Sequence, residues 1–362
     1  MVDLSENERE LLSIVWSRGP LARSEIVTHT KLTQQSVHRL LEGLREKRLL
    51  SFGEAEIRGR GKPSPMVAID TASHVSAGIA INGNEIRYCI ADLKGTPLEQ
   101  RVLTADPNDR DAVIERLHAE ILHWRQSQPG ALPLIGIGVA VQGYRTGPGD
   151  QFHPTRRLSN WRGIPIEALI RDRFGVPTFV ENNASSSATA EHFLGGGSAY
   201  DCFAYLSFNY GFGVGLMSQR RVFLGQHGNA GEIGPLFTEE QKPHRPALNG
   251  LITRLNENGV PIGSLDQLVR EFRADWPGIE SWLQEIRPLM QLTIRALKAI
   301  ADPGAIFFGG DAPPELRARL IEVASSAFGR ELSPNPKLLP SGIEGDAAHL
   351  GAAFLPLHKQ LY

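Results

Sequence analysis

The chain has 362 residues, 41% hydrophobic and 22% charged, with a formal net charge of −2. That length supports two or three domains with cores of their own. The composition is that of an ordinary soluble protein: no apolar run approaches the roughly 18–20 residues of a membrane span, and the acidic, polar start does not read as a signal peptide. Two cysteines, Cys89 and Cys202, argue against a disulfide framework and for a reducing cytoplasm. Taken over the whole chain, the charge speaks against a nucleic-acid binder, but residues 1–66 carry 11 Lys/Arg against 9 Asp/Glu, and the cations there are clustered.

Ser5 and Glu8 have the spacing of a capping box at the head of a helix with Leu11, Leu12 and Val15 on its apolar face, and Gly19-Pro20 ends it. A short second helix over 24–29 and the turn Thr30-Lys31-Leu32 lead to Thr33. That residue can cap a third helix with Val37, Leu40, Leu41 and Leu44 at i, i+3, i+4 and i+7. Packing that face inward leaves Gln34, Gln35, Ser36, His38 and Arg39 exposed near the amino end. Three helices so spaced fit a helix-turn-helix, whose recognition helix offers its early residues to the major groove; Gln and Arg hydrogen-bond base edges there in bidentate fashion. The alternative is a three-helix protein-interaction module, which the next stretch disfavours. Strands over 49–53 and 66–69 flank Ile57-Arg58-Gly59-Arg60-Gly61-Lys62-Pro63-Ser64-Pro65, a cationic tongue. Arg58, Arg60 and Lys62 alternate with glycine or precede proline, so the chain is thin enough there to enter a minor groove. Residues 1–70 are therefore expected to form a winged helix-turn-helix domain that binds a double-stranded DNA operator.

After Asp70-Thr71 the composition shifts, and strands over 75–81 and 85–92 read as a hairpin opening a new domain. An amphipathic helix over 111–126 follows, then a buried strand over 134–143 in which Gly136 and Gly138 suit tight core packing, and a helix over 166–174. The next strand ends in Glu181-Asn182-Asn183 and runs into a helix of small residues that closes at Gly195. A strand over 202–208, the glycine-rich Asn209-Tyr210-Gly211-Phe212-Gly213-Val214-Gly215, and Gly228-Asn229-Ala230-Gly231-Glu232-Ile233-Gly234-Pro235 complete the central stretch. Polar groups at the carboxyl end of a strand, with glycines that let backbone N–H groups approach, are the materials of a small-molecule cleft; the glycines alone are as well explained as turns. Towards the end come a helix over 283–300, kinked or restarted at Pro288, a strand with a glycine turn over 302–310, and a closing helix from 346.

The order of these segments resembles the ROK family of sugar kinases and sugar-responsive repressors, over nearly the whole chain and most strongly at 180–235 and 301–353. The Gly59-Arg60-Gly61-Lys62-Pro63-Ser64 run is similar to the wing of its repressors. The departures from its kinases are as specific as the matches. Asn183 stands where the family places a catalytic aspartate, Phe212 replaces a threonine, and Pro235 replaces a histidine. The family's first strand ends in Asp-x-Gly-Gly-Thr; here Ala80-Ile81-Asn82-Gly83-Asn84 lacks the aspartate, one glycine and the threonine. Arg157 takes the place of a sugar-contacting asparagine, with Asn160 nearby, and no cysteine follows Pro235 where the family has a zinc cluster.

The resemblance implies a winged helix-turn-helix over 1–70 followed by a two-lobed α/β body of the actin-like, ribonuclease H-like sugar-kinase type. The smaller lobe would span 71–183 with the closing helix 346–362, and the larger lobe 184–345. It implies a sugar-responsive regulator, a repressor of carbohydrate genes, with Asn182, Asn183 and Glu232 as sugar-hydroxyl contacts. It also implies a homodimer or dimer of dimers, with no catalytic residue, metal, cofactor or membrane partner. A DNA-binding protein whose body only dimerises, and an active sugar kinase, stand as the alternatives.

Overall fold

A computed structural model describes residues 3–56, 64–147, 150–329 and 334–362. The Ser5 hydroxyl accepts from the Glu8 N–H while the Glu8 carboxylate accepts from the Ser5 N–H, and this capping box starts α1 (Glu6–Arg18). β1 (Leu21–Ala22), α2 (Arg23–Thr28) and α3 (Gln34–Glu46) follow, with Thr33 capping α3 through the Ser36 N–H. Leu11, Leu12, Val15, Ile26, Val37, Leu41 and Leu44 are buried together, whereas Leu40 is only half-buried. β2 (Leu50–Glu56) and β3 (Ser64–Ile69) pair antiparallel, and β1 adds to β3, so the sheet order is β1-β3-β2. This is a winged helix-turn-helix arrangement. The wing cations Arg58, Arg60 and Lys62 lie outside the described residues.

The next sheet contains β4 (Val75–Ile81), β5 (Ile86–Ala91), β6 (Pro97–Leu103), β7 (Leu134–Val141) and, after a small ribbon of β8 (Tyr144–Arg145) and β9 (Phe152–His153), β10 (Thr178–Asn182). Its order is β10-β7-β4-β5-β6, with the first three parallel and the last two added antiparallel. α4 (Arg110–Ser127) and α5 (Ile166–Phe174) bury Val113, Leu117, Ile166 and Ile170 in its core. α6 (Asn183–Leu194) then leads to the second body sheet: β11 (Cys202–Phe208), β12 (Phe212–Ser218), β13 (Arg221–Val222), β14 (Ala305–Gly310) and β15 (Lys337–Pro340). These are arranged β13-β12-β11-β14-β15. α7 (Leu248–Glu257), α8 (Leu265–Glu271), α9 (Ile279–Ala301) and α10 (Pro314–Ser325) cover it through Leu251, Leu268, Trp282, Met290 and Leu316.

α9 departs from the sequence expectation. It begins at Ile279 and runs through Pro288 as one helix, because Ile279, Trp282, Leu283 and Ile286 extend one buried apolar stripe whose packing outweighs the lost backbone hydrogen bond.

The last helix, α11 (Ala348–Gln360), touches more of the fold than its position in the chain suggests. A Cβ added at Gly78 would lie 2.0 Å from the His349 carbonyl oxygen, one at Gly138 1.8 Å from that of Ala352, and one at Gly351 1.6 Å from that of Ser186. The backbone of α11 therefore lies directly against β4, β7 and α6. Its far end joins the winged helix: Phe354, Leu357 and Leu361 share a core with Leu11, Leu12 and Leu41. No helix among the described residues is long and apolar enough to cross a membrane.

Candidate functional site

The cleft between the two body sheets is a cavity of about 380 Å³, lined by the turn after β4, the end of β7, the start of α6, the ends of β11 and β12, and residues 231–245. Asn182, Asn183 and Glu232, separate in the chain, all line it. Asn182 caps α6: its side-chain oxygen accepts from the Ala184 N–H at 2.7 Å and the Ser185 N–H at 3.5 Å. Its amide hydrogens go to the Gly143 carbonyl at 3.1 Å and to Glu232 Oε1 at 2.9 Å. The whole amide is thus engaged within the protein, so Asn182 holds Glu232 in place and has no group left over for a ligand. Replacing Asn182 with Ala should cost about 0.5–2 kcal/mol of stability in urea unfolding, while Asn182→Ser, which can still cap, should recover most of it.

Asn183 is the opposite case. Asn82 donates its amide to Asp346 Oδ2 at 2.8 Å, and a carboxylate at that place fixes which way the amide points. The Asn82 oxygen then faces Asn183 and accepts the Asn183 amide hydrogen. That orientation leaves Asn183 Oδ1 aimed away from Asn82, buried and without a partner, on a residue only 7% exposed that lines the cavity. A buried acceptor without a donor is costly, and a ligand hydroxyl in the cavity would supply one. Burial pushes the Glu232 carboxyl up to about 7, against the opposing pull of the Asn182 amide. With Asn182 on Oε1, its second oxygen has no hydrogen-bond partner among the described residues.

The glycine run serves packing more than ligand contact. A Cβ at Gly215 would lie 2.2 Å from the Ala184 carbonyl oxygen, so β12 needs glycine there to pass beneath α6. Asn160, considered with Arg157 from the sequence, bonds to Asn108 and lies outside the cavity lining. The Arg157 guanidinium stacks 4.3 Å from the centre of the Tyr210 ring, and Tyr210 lines the cavity.

In the winged helix, Gln34, Gln35 and Arg39 are exposed on α3 and no hydrogen bond holds them among the described residues. Ser36 is half-buried beside its cap, with Thr33 donating to its hydroxyl at 2.9 Å. His38 is exposed, but its Nε2 lies 2.6 Å from Arg23 Nη1, and Arg23 also pairs with Glu42 and stacks on Phe52. His38 is therefore tied to α2 and the wing sheet, unlike its neighbours.

The ROK family sequence model matches residues 76–246. The xylose repressor of Bacillus subtilis is 28% identical over 242 residues, 66% of this chain and 62% of the repressor, so the chain spans under two thirds of that relative. Over residues 76–246 the chain is similar to the ROK family. A crystal structure described as a ROK family transcriptional regulator, a homologue of the Escherichia coli MLC protein, superposes with a TM-score of 0.77 at 19% identity, covering 98% of this chain and 96% of that one. A ROK glucokinase from Streptomyces griseus, solved with glucose and AMPPNP, superposes at 0.65 with 19% identity, over 78% of this chain and 98% of its own. The fold is a winged helix-turn-helix followed by the two-lobed α/β body that ROK regulators and sugar kinases share.

Two features of the site's own geometry separate it from the kinase pattern. Among the cavity-lining residues the only carboxylate is Glu232, and the turn after β4 carries the Asn82 side chain, bonded on both sides. The segment after Pro235 does not fit a zinc site: it lacks cysteine, His244 faces Glu285, and no group of three metal-capable side chains occurs among the described residues. The chain pattern missed Gln142, Thr155, Lys242 and Arg245, which also line the cavity. They come from loop positions that carry no periodic signal.

Proposed function

We propose that this chain is a sugar-responsive transcriptional regulator, a repressor of carbohydrate uptake or catabolism genes, in which ligand binding changes operator affinity and no phosphoryl group is transferred. Residues 1–70 bind DNA through Gln34, Gln35, Ser36 and Arg39, with the wing cations Arg58, Arg60 and Lys62 adding minor-groove and phosphate contacts; His38 acts from its place beside Arg23. Residues 71–183 with 346–362, and 184–345, form the lobes of the cleft. Asn183 and Glu232 contact sugar hydroxyls, and Asn182 positions Glu232. The protein works in the cytoplasm as a homodimer, the state that would present two winged helices to operator half-sites. The name of the Bacillus subtilis relative supports the repressor reading. Asn183 cannot act as a base towards a sugar hydroxyl at neutral pH, and this supports a non-catalytic cleft.

The observation that carries this reading is a pair of helices. α6 begins at the cleft with Asn183 and carries in its last turn Phe193, whose ring centre is 5.0 Å from that of Trp16 in α1. α11 begins beside Asp346, which reaches Asn183 through Asn82, and its last turn carries His358, with Tyr362 just beyond it; their rings lie 5.6 and 5.2 Å from Trp16. Both helices span from ligand site to DNA-binding head, α6 over a length of about 18 Å, and they touch each other backbone to backbone at Gly351. Packed elements that meet both sites can couple them when they have two discrete arrangements that each site biases.

The contact at Trp16 is also incompletely satisfied. The indole N–H of Trp16, Nδ1 of His192 and Nε2 of His358 are all buried without partners. Buried polar atoms without partners cost stability, and such a cost suits a contact that shifts between two arrangements.

The test is fluorescence anisotropy of the full chain with duplexes selected from random sequence, repeated across a panel of sugars and sugar derivatives. A ligand that binds should shift operator affinity about 5- to 150-fold, and Trp16→Ala should keep ligand binding while losing most of that shift. A chain that ignores DNA at low salt, or whose DNA affinity is indifferent to every ligand it binds, would overturn the reading.

A further inference from the structure

We propose that the ligand of this cleft is anionic, a sugar phosphate or a sugar acid, with its charged group held by Arg245 and Lys242 at the cavity wall. The inference rests on the reading of the cleft as a sugar site, and it names the class of sugar derivative.

Both cations line the cavity. They flank a single 3-10 turn, Lys242–His244, in the segment after Pro235. Arg245 is half-buried, and among the described residues its side chain makes one hydrogen bond, Nη1 to the Lys242 carbonyl at 2.9 Å. Among the described residues no carboxylate lies within 4.0 Å of it. Arg87 faces Glu85 and Asp311, Arg145 faces Glu181, and Arg317 donates to three carbonyls; half-buried Arg125 and Arg287 also face no carboxylate among the described residues, and what distinguishes Arg245 from them is its place on the cavity wall. A guanidinium withdrawn from water without an anion is unfavourable. Its planar fork matches the paired oxygens of a phosphate or carboxylate.

Lys242 adds a second charge. Its only ion pair is with Glu239, a surface contact whose partner is largely exposed, and such pairs exchange readily for a better anion.

The cavity offers little negative charge in return. Glu232 is its only carboxylate, and burial leaves that group partly protonated at neutral pH. Tyr144 also lines the cavity, and its phenol is pushed up by burial and by Glu232 and drawn back by Lys242 and Arg245. A volume of about 380 Å³ is within the range of small-ligand pockets. Neutral hydroxyls at one end and an anion at the other describe a polyol with a single charged substituent.

The test uses matched probes on the full chain, by isothermal titration calorimetry and thermal shift: glucose, glucose 6-phosphate and gluconate; N-acetylglucosamine and its 6-phosphate; xylose and xylonate; and inorganic phosphate alone. In at least one set the charged member should bind about ten- to a hundredfold tighter than its neutral parent, with affinity falling as salt rises. The phosphate and carboxylate arms then say which anion the site takes. Arg245→Ala should remove most of that preference, while Arg245→Lys should keep part of it. Unaltered circular dichroism and melting in both variants separate loss of the contact from loss of the fold. If neutral sugars bind as tightly as charged ones and Arg245→Ala changes neither, the anionic assignment falls while the sugar cleft stands. If no probe binds at concentrations on the order of 10 mM, the anionic assignment falls together with the sugar reading.

Discussion

Gly351→Ala should destabilise the whole protein by about 3 kcal/mol or more, the largest effect expected of any one-methyl change in the body. The added Cβ would sit 1.6 Å from the Ser186 carbonyl oxygen, 2.5 Å from its carbonyl carbon and 3.1 Å from the Ala190 nitrogen. All three are backbone atoms of α6, so no side chain can rotate away. Relief requires α11 to lift from α6, and α11 is also held by backbone approach at Gly78 and Gly138 on the sheet beneath. A domain with a total stability of about 5–15 kcal/mol cannot absorb many such changes. Because α6 and α11 both end on the winged helix, the variant should also lose operator affinity out of proportion to its remaining folded fraction.

The matched control is Gly43→Ala in α3, where nothing lies within 4 Å of the new Cβ and the backbone is helical. That change should stabilise by about 0.4–1 kcal/mol. Urea unfolding of the two variants beside wild type measures both signs at once. A Gly351→Ala protein that unfolds at the wild-type midpoint would mean that α6 and α11 are not in backbone contact.

What the sequence made legible was local. Ser5 and Glu8 announce α1 because both halves of a capping box lie within four residues, and the i, i+3, i+4, i+7 pattern from Val37 to Leu44 announces α3. α5 and β11 begin and end where an amphipathic run and an apolar run do. The three cleft residues Asn182, Asn183 and Glu232 were also legible, through the order of motifs, and they do line one cavity.

Their division of labour was not, because it is decided by partners far away in the chain. Asn182 is occupied by a bond to Glu232, 50 residues on; Asn183 is oriented through Asn82, 101 residues back; Asn82 is itself oriented by Asp346, 264 residues beyond it. No periodicity reports such a relay. The glycines of β12 looked like ligand-binding material, yet Gly215 is demanded by the passage of α6 overhead, a contact between elements that do not neighbour each other in any local pattern. Pro288 misled for a related reason: the penalty of a proline is local, but the burial that overrides it comes from the sheet below. Arg245 carries no sequence signal, since only a three-dimensional count of nearby carboxylates shows that it has none.

Glu232→Ala should weaken ligand binding about ten- to a hundredfold, and Glu232→Gln should remove a pH dependence that wild type shows around neutrality. The Asn182 amide already occupies Oε1, so the other carboxylate oxygen is the one that meets a ligand hydroxyl. Ionised, that oxygen accepts the hydroxyl hydrogen in a charge-assisted bond; protonated, it can only donate to the hydroxyl oxygen in a weaker, neutral bond. Burial raises the Glu232 carboxyl from its usual 4.5 to about 7 in the folded protein. Binding to the ionised form therefore strengthens as pH rises and levels off above 7. Between pH 6 and pH 8 the affinity should rise about tenfold, measured with a ligand that has no group of its own titrating in that interval.

The same shift has the opposite sign for stability without ligand. Between about 4.5 and 7 the folded chain holds the Glu232 proton more tightly than the unfolded chain does, so this group's contribution falls as pH rises through that window. Glu232→Gln should flatten both profiles while leaving DNA binding without ligand near the wild-type level, because Glu232 lies in the cleft and makes no contact with the winged helix. Calorimetric titrations at a series of pH values, paired with operator binding on the same preparations, separate the two effects. A wild-type affinity that is flat from pH 6 to 8, or a Glu232→Ala protein with an unaltered ligand response, would place the ligand elsewhere.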